Sequence, residues 1–173
     1  MNRFTAPSAA GAIAASERGF TLIELMVTIA VAAIILSLAI PSFTEATLGS
    51  KLRATANNLA AAATLARSEA IKRREQVVLC ASSNGSSCGG SWEQGWIVLG
   101  GSTVIRTQGA APKGFKVNGD QSSLTFQPTG VGSTPANFTV CRATPSVGSQ
   151  ERTVTISATG RASVERTSAG ACS

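Results

Sequence analysis

The chain has 173 residues, room for one modest domain and an appendage, with 43% hydrophobic and only 14% charged side chains. It holds no histidine, no tyrosine and only nine acids. That removes the commonest general base and transition-metal ligand and leaves few carboxylates for a hard-cation cage, so the inventory argues against an enzyme and no cofactor is expected. Net charge is +6, and thirteen Lys/Arg against six acids beyond Thr47 concentrate +7 in the later part; such a surface favours anionic partners, although the same charge also serves solubility.

Residues 1–19, "MNRFTAPSAAGAIAASERG", are small and weakly polar and read as a leader that is removed. The apolar run "RGFTLIELMVTIAVAAIILSLAIPSF" follows, from Arg18 to Phe43. Phe20 to Ile40 offers twenty-one positions with one charge, the length of a membrane span. Arg18 and Ser37-Leu38-Ala39 superficially supply a secretory signal with its cleavage site. Neither a plain anchor nor a plain signal accounts for Glu24. A charge at the centre of a membrane helix costs about 2.5 to 3.5 kcal/mol, less near an end, and such residues are functional by default.

The stretch "RGFTLIEL" resembles the processing sequence of the type IV pilin superfamily, which includes the pseudopilins of type II secretion. The resemblance implies cleavage after Gly19 by a prepilin peptidase, N-methylation of the new terminal residue Phe20, and an assembly role for Glu24, fifth in the mature chain. Pro41, twenty-second in the mature chain, falls at the family's helix-kinking position. The implied locale is the bacterial inner membrane, crossed once with the head in the periplasm, and then a pilus or pseudopilus. The leader departs from the pattern by being longer than is typical of type IVa pilins, with Glu17 beside Arg18. Elementary electrostatics supplies a reason for the acid. Cleavage creates an ammonium on Phe20, and a carboxylate four residues on lies one helical turn away. In a filament, Glu24 of one subunit meets the Phe20 amine of a neighbour and sets register.

Beyond Pro41 the helical pattern resumes over 42–75. Leu48, Leu52, Leu59, Ala62, Ala66 and Ala70 form one stripe, alanine favours helix, and Glu69 stands four before Arg73. Lys72, Arg73 and Arg74 read as a solvated helix end, with a phosphate-binding patch as the sharper alternative. From Val77 the pattern changes to eight short β-type runs: "VVLCAS", "GWIVLG", "TVIRT", "GFKVN", "SLTFQP", "NFTVCRA", "RTVTISAT" and "RASVERT". They imply a sandwich or strongly bent sheets packed on the helix. Trp92, Trp96, Phe115, Phe126 and Phe138 read as core residues. Few and scattered, they make a poor platform for stacking single-stranded nucleic acid. Cys80, Cys88, Cys141 and Cys172 read as two disulfides of an oxidising compartment. Four cysteines allow three pairings; Cys80–Cys88 with Cys141–Cys172 would stabilise by about 2.5 and 3.5 kcal/mol in the chain-entropy model.

The segment from Leu65 to Leu99, with "LTFQPTGV", "FTVC" and "VTISATGRASV" after it, resembles the GspH/FimT domain of low-abundance pilins. The expected fold is α+β: a long N-terminal α-helix with a hydrophobic first half, packed on a C-terminal antiparallel β-rich head with two disulfides. The expected segments are leader 1–19, membrane or filament-core helix 20–41, amphipathic continuation 42–75 and head 76–173. The resemblance implies a FimU-like minor pilin that joins other pilins and primes assembly, with a tip position. Two alternatives stay open. One is a type II secretion pseudopilin of GspH type, which shares nearly every feature. The other is a FimT-like DNA-binding pilin for transformation, whose Gly-Arg-x-Arg motif is half present. Gly160 and Arg161 match, the second arginine position holds Ser163, and Arg152 and Arg166 are the further candidate DNA contacts.

Overall fold

The computed structural model describes residues 19–130, 135–143, 151–167 and 172, the side chains at 38, 39, 41 and 42 excepted. The leader assigned to 1–19 therefore lies outside the described residues apart from Gly19. Helix α1 runs over Leu22–Arg73, 52 residues. Ahead of it Thr21 acts as the N-cap, its hydroxyl accepting the Glu24 N–H at 3.3 Å and its carbonyl that of Leu25 at 3.1 Å. At the other end Lys72 and Arg73 occupy the last turn, where the helix dipole favours cations. Arg74 then turns out of the helix at φ 56°, the left-handed conformation that usually falls to glycine. The chain divides into two compact units, Met1–Pro41 and Ser42–Ser173. The division falls where Pro41 lacks the N–H that would reach the carbonyl of Ser37.

In the first unit the helix is apolar on every face. Leu22, Ile23, Leu25, Met26, Val27, Ile29, Val31, Ile34, Ile35, Leu36 and Ile40 are all at least half exposed. The hydroxyls of Thr28 and Ser37 bond to carbonyls of their own helix, Leu25 at 2.8 Å and Ile34 at 2.7 Å, so they ask nothing of the surroundings.

The second unit contains the rest of α1 and eight strands: β1 Val77–Ala81, β2 Trp96–Gly100, β3 Thr103–Gln108, β4 Phe115–Gly119, β5 Ser123–Phe126, β6 Ala136–Arg142, β7 Glu151–Ile156 and β8 Ala162–Thr167. They form two four-stranded antiparallel sheets, β3-β2-β1-β5 and β4-β6-β7-β8. All eight β-type runs of the sequence are strands. One core joins them to the helix. Leu52, Ala56, Leu59, Ala62, Ala63, Ala66 and Ala70 cluster with Val77, Leu79, Val98, Leu124 and Phe126 of the first sheet and Val117, Phe138, Val140, Val154 and Ile156 of the second. Alanine on the buried helix face lets the β layers approach closely, and sheet alternation supplies the other side. The predicted stripe is the buried face, widened by Ala56 and Ala63. Because helix and strands share this core, the change of character near residue 76 separates secondary structures within one unit.

The disulfides are Cys80–Cys88, with Cα atoms 5.6 Å apart, and Cys141–Cys172, 5.5 Å apart. The first staples a loop that is already internally bonded. Asn84 Oδ1 accepts the Ser86 and Ser87 N–H groups, and Ser82 Oγ donates to the Ser87 carbonyl while accepting from Gly85 N–H. A single 3-10 turn, Trp92–Gln94, closes it and buries Trp92.

Candidate functional site: the helix start and the surface cations

Gly19 and Phe20 precede the helix, outside its hydrogen-bonded ladder, and both are exposed; Phe20 is 78% exposed. The Gly19–Phe20 peptide bond is accessible and lies outside regular structure. A Cβ on Gly19 would meet nothing within 4 Å, and its backbone does not occupy the left-handed region. The fold itself therefore places no demand for glycine at position 19. Glu24 sits in the first turn, its carboxylate at the end of the helix where the dipole favours negative charge. Thr21-Leu22-Ile23-Glu24 also has the spacing of a capping box, so Thr21 is a contributor that the reading from sequence missed although its signal was present.

Among the described residues no helix is long and apolar enough to cross a membrane. The twenty-one-position span from Phe20 to Ile40 remains an expectation from the sequence.

The candidate DNA contacts fall at two places in the second sheet. Arg161 follows the β7–β8 turn, its N–H on Ser157 Oγ at 3.2 Å, whereas Arg166 is five residues on along β8. Arg161 itself precedes the strand, and at about 3.3 Å per residue the two lie up to roughly 16 Å apart. Gly160 has φ +71°, and a Cβ there would press on the Gly130 carbonyl at 3.0 Å and on Arg67 Cδ at 3.2 Å. Its N–H closes the turn onto the Ser157 carbonyl at 2.8 Å. Turn geometry and close packing thus account for glycine at 160. Arg67 reaches across from α1, its Nε donating to the Gly130 carbonyl at 2.6 Å, and ties both turns to the helix. Arg152 and Arg166, by contrast, stand directly opposite each other on neighbouring strands.

At the helix end, Arg73 and Lys72 bond to Glu69 at 2.6 and 3.4 Å, and Arg73 also approaches Glu75 at 3.8 Å. Arg73, foremost, and Lys72 hold the Glu69 carboxyl below its usual range against the opposing effect of desolvation. These cations are engaged with acids, as a solvated helix end requires. Trp92, Trp96, Phe115, Phe126 and Phe138 are all buried, so none offers a face for base stacking. Trp92 donates its indole N–H to the Gln121 carbonyl at 2.7 Å and meets Phe138 edge-on, with centroids 4.8 Å apart. Among the described residues no three His, Cys, Asp or Glu side chains are grouped to hold a metal. A small open pocket of about 190 Å³ is lined by Lys51, Thr55 and Asn58 of α1 and by Trp96, Gln108 and Pro112.

Residues 55–160 match the family model described as type II transport protein GspH, and residues 14–40 match that of the prokaryotic N-terminal methylation motif. No curated protein sequence matches the chain. Among solved structures, the type IV minor pilin FimU of Pseudomonas aeruginosa PAO1 superposes with a TM-score of 0.53 at 23% identity, over 67% of this chain and 89% of that one. A second crystal form of FimU gives 0.50 at 22%, over 65% and 91%. The minor pseudopilin EpsH of the Vibrio cholerae type 2 secretion system gives 0.50 at 12%, over 67% and 97%. At these identities the likeness carries the fold: a helix laid on antiparallel sheets. With the methylation motif ahead of a GspH-type head spanning more than half of the sequence, the chain belongs to the GspH family within the type IV pilin superfamily.

Proposed function

We propose that this protein is a minor type IV pilin of FimU type, held in the inner membrane by the start of α1 and then incorporated into a pilus, where it primes assembly at the tip. One observation carries the reading: an all-round apolar helix begins with an acid in its first turn, next to an exposed Gly19–Phe20 bond. A helix with no polar face has to be surrounded by lipid or by other helices. Prepilin peptidase cleaves after Gly19, Phe20 is methylated, and the Phe20 ammonium and Glu24 carboxylate find partners across neighbouring subunits. Pro41 is the position at which the helix kinks. The head, closed by its own core and disulfides, offers loops and sheet edges to specific neighbours in the minor-pilin complex.

The test is the native product and the Glu24→Ala variant. Mass spectrometry of mature protein is expected to give methylated Phe20 as the first residue, and Glu24→Ala is expected to be cleaved yet excluded from sheared pili. A different first residue, or normal incorporation of Glu24→Ala, refutes the proposal. The secretion alternative has a fold neighbour in EpsH, and deletion of the gene distinguishes it. Loss of pili with secretion intact supports the pilus, and the reverse supports the secretion system. The DNA-binding reading draws less support, because Arg161 stands apart from Arg152 and Arg166 and Ser163 replaces the second motif arginine.

A further inference from the structure

Alternation along β7 and β8 puts Arg152 and Arg166 on the same face as Val154, Ile156, Ala162 and Val164, the face that packs on the core. The two arginines extend that face just past its last apolar pair, directly across from each other, where side-chain β-carbons stand about 5 Å apart. Arg53 of α1, exposed and one residue beyond the buried Leu52, is near enough for its charge to act on Arg152. Among the described residues no carboxylate lies within salt-bridge distance of any of the three. Glu165 falls on the opposite face by the same alternation, where Thr153 and Thr167 join hydroxyls at 3.2 Å. One guanidinium nitrogen of Arg152 donates to the Glu151 carbonyl at 2.9 Å. Burial first, then Arg166 and Arg53, push the Arg152 guanidinium below its ordinary value, the sign expected of like charges held together.

We infer that Arg53, Arg152 and Arg166 form a binding site for a phosphate-type oxyanion. Guanidinium groups facing each other across neighbouring strands, Arg152 half-buried and Arg166 exposed, repel one another unless an anion lies between them, and planar forks suit bidentate contact with a tetrahedral oxyanion. A multiply charged phosphate offsets three cations better than a single carboxylate does. The group comes either from the free ion or from a phospholipid headgroup, and both present the same chemistry. This inference is independent of the pilin assignment.

The test is thermal unfolding of the full chain in uncharged detergent, followed by the fluorescence of the buried Trp92 and Trp96. Chloride is exchanged for inorganic phosphate at constant ionic strength. The wild type is expected to gain about 4 °C in Tm at a phosphate concentration tenfold above the dissociation constant. Arg166→Gln and Arg53→Gln are expected to lose that gain while melting no lower than wild type in chloride, because removing one cation relieves the other two. Arg106→Gln, on the far edge strand β3, is expected to keep it. A gain with phosphatidylglycerol-doped micelles, absent with phosphatidylcholine, assigns the group to lipid; a gain with inorganic phosphate alone assigns it to the free ion. No gain with either, or a gain that survives Arg166→Gln, overturns the site.

Discussion

Gly119→Ala tests how tightly the second sheet is packed. Gly119 ends β4 directly opposite Phe138 of β6. A Cβ built there would lie 2.5 Å from two carbons of the Phe138 ring and 3.2 Å from Trp92 Nε1. Carbon atoms in contact prefer about 3.5 to 4.0 Å, so the ring has to retreat by about 1 Å. It has little room to do so. Phe138 is completely buried, Trp92 bears on it edge-on, and Trp92 is itself held by the Gln121 carbonyl. Overpacking of this kind costs about 1 to 3 kcal/mol, while replacing glycine returns roughly 0.4 to 1 kcal/mol through the unfolded chain. The net expectation is a loss of about 1 to 2 kcal/mol, read as a lower urea midpoint by Trp fluorescence at an unchanged slope. In a Phe138→Leu background the smaller side chain gives the methyl space, so the same alanine should cost less than half as much. An alanine within about 0.3 kcal/mol of wild type, or an equal cost in both backgrounds, would refute the packing argument.

Gly19→Ala should leave the unfolding midpoint unchanged, since nothing lies near its Cβ, while on the proposed processing precursor should accumulate on immunoblots. Arg74→Gly is expected to stabilise by about 1 kcal/mol in urea unfolding, because only glycine adopts φ 56° without a Cβ penalty. Replacing Cys80 and Cys88 together by serine should cost about 2.5 kcal/mol, measured against wild type under non-reducing conditions. Glu69 has a pH signature. Its folded-state value lies below the unfolded one, so its stabilisation is complete above the ordinary carboxylate range and fades as pH falls through the folded value. The stability gap between wild type and Glu69→Gln should therefore narrow steadily as pH is lowered from about 6 to about 3.

What the sequence revealed was local. Val77 to Thr167 is written in short period-two runs separated by Gly, Pro, Asn and Ser, so all eight strands are legible in the order of residues alone. The buried helix stripe is legible for the same reason, since periodicity is a property of neighbours along the chain. Partner choice is not. That β1 lies between β2 and β5, and that β4 leaves its neighbours to pair with β6, depends on which faces fit together across the core. Cys80–Cys88 is readable from its short separation; Cys141–Cys172 needs the fold to bring its ends together. The approach of Arg53 to Arg152, ninety-nine positions apart, has no trace in either local pattern. Nor does the separation of Arg161, held in the β7–β8 turn, from Arg166, far along β8. Thr21 is a different case: its capping spacing is present in the sequence, overshadowed by the processing motif that contains it.

On the proposed function, the energetics of assembly turn on a point the hydrophobic effect cannot decide. Among the described residues, twelve large apolar side chains between Leu22 and Phe43 are 50–76% exposed, and at about 1.5 to 3 kcal/mol each they keep this segment out of water by tens of kcal/mol. That preference does not distinguish lipid from a bundle of sister helices, because acyl chains are as apolar as leucine. Transfer from bilayer to filament therefore needs a term that differs between the two. Side-chain packing is one such term, but it is spread along the helix and tolerates slippage by a turn. A terminal ammonium and a carboxylate are localised, and in a filament a displaced subunit leaves both without partners in hydrocarbon, at a cost of several kcal/mol. Under the proposed function, the charged pair at that end of the helix sets register. Glu24→Gln, which keeps shape and capping but removes the charge, should then produce subunits that insert normally and fail at docking; recovery of Glu24→Gln subunits in pili at wild-type levels would mean that packing alone sets the register.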